Sequence, residues 1–159
     1  MNKFYKVSLE QYIKDANRGA AASEEYDRIL LPRRATKLSA GYDFFAPFDF
    51  TLSPGEEIKF PTGIRVKLDE DKFLACFPRS GLGFKYKLQL ANTVGIIDAD
   101  YFSSPNEGHI HVKLCNNGDK VIEIHQGDAF MQGVILPFYK TDDDESTDIR
   151  TGGMGSTSR

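Results

Sequence analysis

This sequence has no tryptophan, only two cysteines, no long apolar run and no surplus of positive charge. The cysteines, Cys76 and Cys115, belong to no CxxC pair. That excludes a disulfide framework and a zinc ribbon, and it predicts a reducing compartment, the cytoplasm. No window reaches the ~18 consecutive apolar residues of a membrane span. Lys3, Lys6, Glu10 and Lys14 break the N-terminus with charge, so it lacks the apolar core of a secretory signal. With 20 Lys and Arg against 23 Asp and Glu, the formal net charge is -3. Such a chain has no basic field for a nucleic-acid duplex or an anionic membrane, so neither is expected as a partner. Any polyanion it binds must be small and locally gripped. The Walker phosphate loop is absent as well.

What is present is a β rhythm. The 159 residues suffice for one core. Lys3 to Val7 reads as a short strand, and Ser8-Leu9-Glu10-Gln11 as a capping box opening a short helix to about Ala16. Gly19 to Tyr26 is small and polar. From Leu30-Leu31-Pro32 onward, short apolar runs alternate with turn residues. Strands are predicted at Asp43 to Phe45, Phe50 to Leu52, Glu57 to Pro61, Gly63 to Lys67, Lys72 to Phe77, Leu88 to Ala91, His109 to Asn116, Val121 to His125 and Ala129 to Tyr139. Turns fall at Ser53-Pro54-Gly55, Asn116-Asn117-Gly118-Asp119 and Gln126-Gly127-Asp128. About nine strands with almost no helical periodicity predict an all-β jelly-roll barrel or sandwich. Its core would be filled by twelve Phe and seven Tyr. The expected domain spans residues 1–140, with 1–29 an N-terminal extension. Residues 141–159 form an acidic linker and a flexible Gly-rich arm.

Four stretches carry chemistry unusual for a β protein. Ala40-Gly41-Tyr42-Asp43 sets an acid beside a flexible residue. Pro78-Arg79-Ser80-Gly81-Leu82-Gly83 offers a guanidinium, a hydroxyl and backbone amides, the material of a phosphate cradle. Asn92-Thr93-Val94-Gly95-Ile96-Ile97-Asp98-Ala99-Asp100-Tyr101 ends in two acids and an aromatic. In the tail after Arg150, glycines, hydroxyls and arginine could wrap an anion. Taken singly, each is ordinary loop material, turn glycines and solvated charges, or for the tail a frayed terminus.

Their order is not ordinary. Together with Gly127-Asp128, Gln132 and Gly152-Gly153-Met154-Gly155-Ser156-Thr157, the chain resembles the trimeric dUTPase family. All five motifs of that family appear in sequence, over roughly residues 30 to 157. The resemblance implies a jelly roll and a homotrimer whose subunits share active sites. It also implies Mg²⁺-dependent cleavage of dUTP to dUMP and pyrophosphate, which removes dUTP from the nucleotide pool and supplies dUMP for dTMP synthesis. By the same resemblance Asp98 is the base that deprotonates the attacking water. Arg79, Ser80, Gly81 and Gln132 bind phosphate. Asn92, Gly95 and Ile97 belong to the hairpin that reads uracil, and Tyr101 packs on deoxyribose so that UTP is rejected. Asp43 reaches the metal through water. Arg150, Gly153, Met154, Gly155, Ser156 and Thr157 belong to the arm that closes on the nucleotide.

The chain departs from that pattern in three places. Met154 stands where the family usually has an aromatic that stacks on the base. Arg150 stands one residue closer to the glycine pair. An insert of about five residues lengthens Phe102 to Gly108, and on it Phe102 is a candidate for the missing aromatic cover. Three other readings fit parts of the sequence. A dCTP deaminase needs a glutamate base, which His109 to Asn116 does not supply. A cupin-type metal site would place His109 and His111 on one strand face with Cys115, yet no Glu follows at the required spacing, so a structural role is expected for both. A nucleotide-switched module that binds a regulatory protein partner would dock it on the N-terminal segment or the insert.

Overall fold

The computed structural model describes residues 1–150 and 152. Ser8 caps helix α1 (Leu9–Ala16) as its hydroxyl suggests, accepting from the Gln11 amide at 3.1 Å. The capping box is only half made, however. Gln11 turns its carboxamide to Asp15, and the Ser8 amide donates to Glu107 from a distant loop at 2.8 Å. Asn17 ends the helix in the left-handed region, which its short amide side chain tolerates. A second helix, α2 (Ala20–Arg28), occupies the small, polar stretch where none was predicted. It opens on three alanines, the best helix formers, but has little apolar face, and Glu25 is its buried polar anchor to Tyr12 and Arg18.

The strands are β1 (Lys3–Lys6), β2 (Arg33–Arg34), β3 (Tyr42–Phe45), β4 (Phe50–Leu52), β5 (Glu57–Pro61), β6 (Ile64–Lys67), β7 (Lys72–Pro78), β8 (Leu88–Leu90), β9 (Gly95–Asp98), β10 (His111–Asn116), β11 (Ile122–Ile124) and β12 (Ala129–Pro137). A third helix, α3 (Ser80–Tyr86), and a 3₁₀ turn (Ala99–Ser103) complete the described elements. Every pairing is antiparallel. The largest sheet runs β2-β3-β12-β7-β9, opposed by β5-β10-β8 and by the pairs β1-β6 and β11-β4. The all-β, jelly-roll-like expectation holds, with twelve strands rather than nine. β4 and β11 alternate buried and exposed residues, as one-faced strands should. The middle of β7, flanked by β12 and β9, is buried at Leu74, Ala75 and Cys76 in succession.

Aromatic rings fill the core between the sheets. Phe60 lies 5.3 Å from both Phe48 and Phe130, at tilted or edge-on angles that ring quadrupoles favour. Among the described residues no helix is long and apolar enough to cross a membrane.

One polar tie fastens α1 to the barrel. His109 is fully buried; its Nε2 accepts the Gly63 amide at 2.8 Å, which puts the ring proton on Nδ1, 2.6 Å from Asp15. His111 lies 3.4 Å from the same carboxylate. These three groups are close enough to share a cation, but a cation would have to displace the proton that the Gly63 amide fixes on Nδ1. Cys115 bonds Glu57 instead of joining them, so the cupin-like grouping does not form. His109 acts as a structural link.

Two outcomes follow from this packing. Phe130→Ala should cost about 3–5 kcal/mol, read as a lower urea midpoint at unchanged slope. Burial is the main cause that pushes His109 from 6.5 down to about 4, with Asp15 pulling it upward. Between those values the unfolded chain binds a proton that the folded chain refuses, so stability must fall as pH drops through this window. Urea titrations across it should show the loss, and His109→Gln should flatten it.

Candidate active site

The sequence-predicted residues gather in two groups along β7, one at its C-terminal end and one on β9, which runs beside it from Cys76 back to Phe73. At the C-terminal end of β7, Asp43 of β3 and Gln132 of β12 stand opposite each other in register, and Gln132 is also opposite Phe77. Gln132 donates to the Pro78 carbonyl at 3.1 Å. A Cβ at position 41 would run into its carboxamide oxygen, so Gly41 makes room for it. Arg79 places Nε 3.0 Å from Asp43 Oδ1 and Nη1 3.4 Å from the Ala129 carbonyl. Ser80 and Gly81 follow on the surface. The cradle they were expected to form is a helical start rather than an open loop, because Arg79 is the extended N-cap of α3. First-turn amides have no intrahelical acceptor, and Arg79 supplies no side-chain cap for them.

The second group is built on β9. Thr93 adopts a positive φ and turns the chain between Asn92 and Val94. β9 then pairs with β7, Gly95 facing Cys76 and Asp98 facing Phe73. Its side chains serve two hollows, with Ile96 reaching both sides. Asn92, Gly95 and Ile97 line a cavity of about 400 Å³ with Cys76, His111 and Met131. Asp98 lines a different hollow of about 580 Å³ with Asp100, Phe102 and Phe138. The 3₁₀ turn carries Tyr101 inward to 4% exposure. Arg150 returns from the C-terminal segment to bridge the two acids, 2.5 Å from Asp98 and 2.8 Å from Asp100, with its guanidinium 5.7 Å from the Tyr101 ring centre. Gly153, Met154, Gly155, Ser156 and Thr157, with the expected arm they form, lie outside the described residues.

Phe102 is not a free cover. Its ring stacks on the Arg65 guanidinium at 3.7 Å and leans on Tyr5, while its carbonyl accepts from Arg65 at 2.7 Å. Behind Tyr101, Asn106 and the His109 carbonyl hold the phenol, while Glu107 bonds Ser8 and Asp15 bonds the His109 ring; the sequence pointed to His109 as structural but to none of the other three residues by role. Only the insert's unusual length hinted at Asn106 and Glu107. Nothing in one dimension joins Asp15 to His109.

Among the described residues Arg79 and Asp98 do not meet. Phe73, the partner of Asp98, and Pro78, next to Arg79, are five strand residues apart, roughly 16 Å at ~3.3 Å per residue. That exceeds the two phosphoanhydride links from the α- to the γ-phosphorus of a nucleoside triphosphate.

Sheet order and side-chain inventory define an all-β, jelly-roll-like protein whose acids and arginines sit at strand ends. The chain belongs to the dUTPase family, whose model matches residues 27–158. It is 40% identical over 132 residues to the deoxyuridine 5'-triphosphate nucleotidohydrolase of Lactococcus lactis, covering 81% of this chain and 88% of that one. It is 41% identical over 135 residues to that of Desulfitobacterium hafniense, covering 80% and 86%. The crystal structure of dUTPase from Streptococcus mutans superposes with a TM-score of 0.67 at 31% identity, over 87% of this chain and 98% of that one.

Proposed function

We propose that this chain hydrolyses dUTP to dUMP and pyrophosphate in the cytoplasm, clearing dUTP from the nucleotide pool and supplying dUMP for dTMP synthesis. It does so as a homotrimer in which each site draws on more than one subunit. The observation that carries this reading is the separation along β7. Arg79, paired with Asp43 beyond the C-terminal end of β7, and Asp98, opposite Phe73, face different neighbours, which supports a site in which a second copy brings one group to the other. Family membership supports the reaction itself.

In that shared site uracil lies against Asn92, Gly95 and Ile97, whose common face supports a base-reading role. Tyr101 forms the wall beside deoxyribose. Arg79, Ser80, Gly81 and Gln132 hold phosphate oxygens, the guanidinium trading its carboxylate contact for phosphate. Arg150 and the arm residues Gly153, Met154, Gly155, Ser156 and Thr157 close over the nucleotide. Asp98, exposed at the end of β9, takes a proton from the water that adds to the α-phosphorus. The bond from the α-phosphorus to the bridging oxygen then breaks and pyrophosphate leaves.

Mg²⁺ fits the chain's donors in one way. Among the described residues no cage of carboxylates forms, and Asp43 presents a single half-buried carboxylate beside Arg79. That suits a hard cation held chiefly by triphosphate oxygens and reached by Asp43 through water. When bound, it neutralises charge on the phosphates.

Product analysis with Mg²⁺ and separate dUTP, dCTP, dTTP and UTP tests the reaction. Pyrophosphate from dUTP is expected. Ammonia from dCTP would move the protein to the deaminases, and silence with all four would leave the nucleotide-switched, partner-binding module. Asp98→Asn should lower kcat by ~10²-fold or more. Arg79→Ala should disable the phosphate side. Co-refolding equal amounts of the two variants should restore activity, since random assembly leaves roughly a quarter of shared sites intact. Mixed trimers as dead as their parents would show that the site is not shared.

A further inference from the structure

Tyr101 is held at its far end more firmly than burial requires. Its phenol donates to the His109 carbonyl at 2.8 Å and receives the Asn106 carboxamide Nδ2 at 2.9 Å. A phenol oxygen has one proton to give and lone pairs to accept with, so the two bonds use it in both directions. Asn106 reaches it because the insert doubles back. The Ser104 amide donates to the Tyr101 carbonyl, and Gly108 adopts φ +69° where a Cβ would stand 2.6 Å from that same carbonyl oxygen. Asn106 Oδ1 accepts the Gly108 amide at 3.2 Å and so holds the turn as well.

The C-terminal end of this loop is fastened to the N-terminal segment. Glu107 accepts from the Ser8 amide and hydroxyl at 2.8 and 2.6 Å. His109, whose carbonyl receives the phenol, is locked by Asp15 and the Gly63 amide. The insert and α1 form one brace behind a single aromatic ring.

We propose that Asn106 is a positioning residue for sugar selection, fixing the Tyr101 ring so that it excludes a 2′-hydroxyl. This rests on the reading of Tyr101 as the wall beside deoxyribose. A wall rejects an extra hydroxyl only as far as it resists moving. With the His109 carbonyl as its sole tether, the phenol can swing about that bond and open space. The second bond, from a loop tied through Phe102 to Arg65 and Tyr5 and through Glu107 to Ser8, removes that freedom. The insert therefore acts as a stiffener of the pocket from outside.

The test is kcat/KM for dUTP and for UTP in the full chain, in Asn106→Ala, Asn106→Ser and Tyr101→Phe, and in the Asn106→Ala, Tyr101→Phe double variant. Serine keeps an acceptor for the Gly108 amide but is too short to reach the phenol, so it preserves the turn and removes the brace. Asn106→Ala and Asn106→Ser should each lower the dUTP-to-UTP preference by roughly two- to tenfold, the worth of one hydrogen bond, through a gain on UTP. In the Tyr101→Phe background the Asn106 change should add nothing, because the phenol that couples them is gone. An unchanged preference in both Asn106 variants overturns the proposal. So does a preference that Asn106→Ser restores, which would leave only the turn, or an effect that adds fully to that of Tyr101→Phe. Failure of the unaltered chain to cleave dUTP would appear before any variant is compared, and it overturns the parent reading itself.

Discussion

The double ladder on β7 is the constraint from which the rest of the molecule takes its shape. Seven consecutive register pairs tie it to β12 on one edge, and four tie it to β9 on the other. Both edges are thereby satisfied and both faces of its middle are buried, which is why Leu74, Ala75 and Cys76 run apolar without alternation. The strand can neither slip nor bend far without flipping every paired side chain to the wrong face. Its length then becomes a ruler. Arg79 is fixed just beyond one end, and the partner of Asp98 lies near the other. On the proposed reading a chain built on this ruler holds two half-sites, and assembly is part of the chemistry rather than an addition to it.

Next to that ladder, the N-terminal segment is fastened by polar contacts. β1 pairs with β6, but α1 is held by Asp15 on His109 and by Ser8 on Glu107. Buried polar groups of this kind specify an arrangement because any alternative leaves a donor or acceptor unpaired. Apolar contact alone would let a short amphipathic helix settle in several ways. The Gly63 amide and the Asp15 carboxylate leave His109 a single orientation and tautomer.

Strand-forming residues were legible where burial and turn chemistry agreed. Phe50–Leu52 and Glu57–Pro61 fall at the predicted bounds, next to a turn whose Gly55 takes the positive φ expected of it. Gly95–Asp98 is a strand too, yet the sequence drew attention to its chemistry and not to its extended backbone. α3 escaped notice because Ser80-Gly81-Leu82-Gly83 has poor helix propensity, and its surroundings override that. The juxtaposition of Asp43, Arg79 and Gln132 was accessible only through the family resemblance, since three strands must first be aligned. The brace behind Tyr101 was barely accessible. The insert's length and a structural role for His109 were visible, but Asp15 and His109 are separated by 94 positions, and nothing in one dimension joins them.

Charge and stability are kept apart in this molecule. The Arg79–Asp43 pair is partly open to solvent, as are the acids that Arg150 bridges. Ion pairs in such settings contribute about 0–1 kcal/mol, far less than the aromatic cluster around Phe60 or the β7 ladders. A guanidinium at such a place gives up its carboxylate at little cost to the fold and accepts a phosphate oxygen with the same planar geometry. Were these arginines deeply buried, each carboxylate left behind would impose a penalty of several kcal/mol on every exchange. The groups proposed to meet the triphosphate thus sit where changing partners is cheap. The groups that position them, from the β7 backbone to the phenol of Tyr101, sit where it is not.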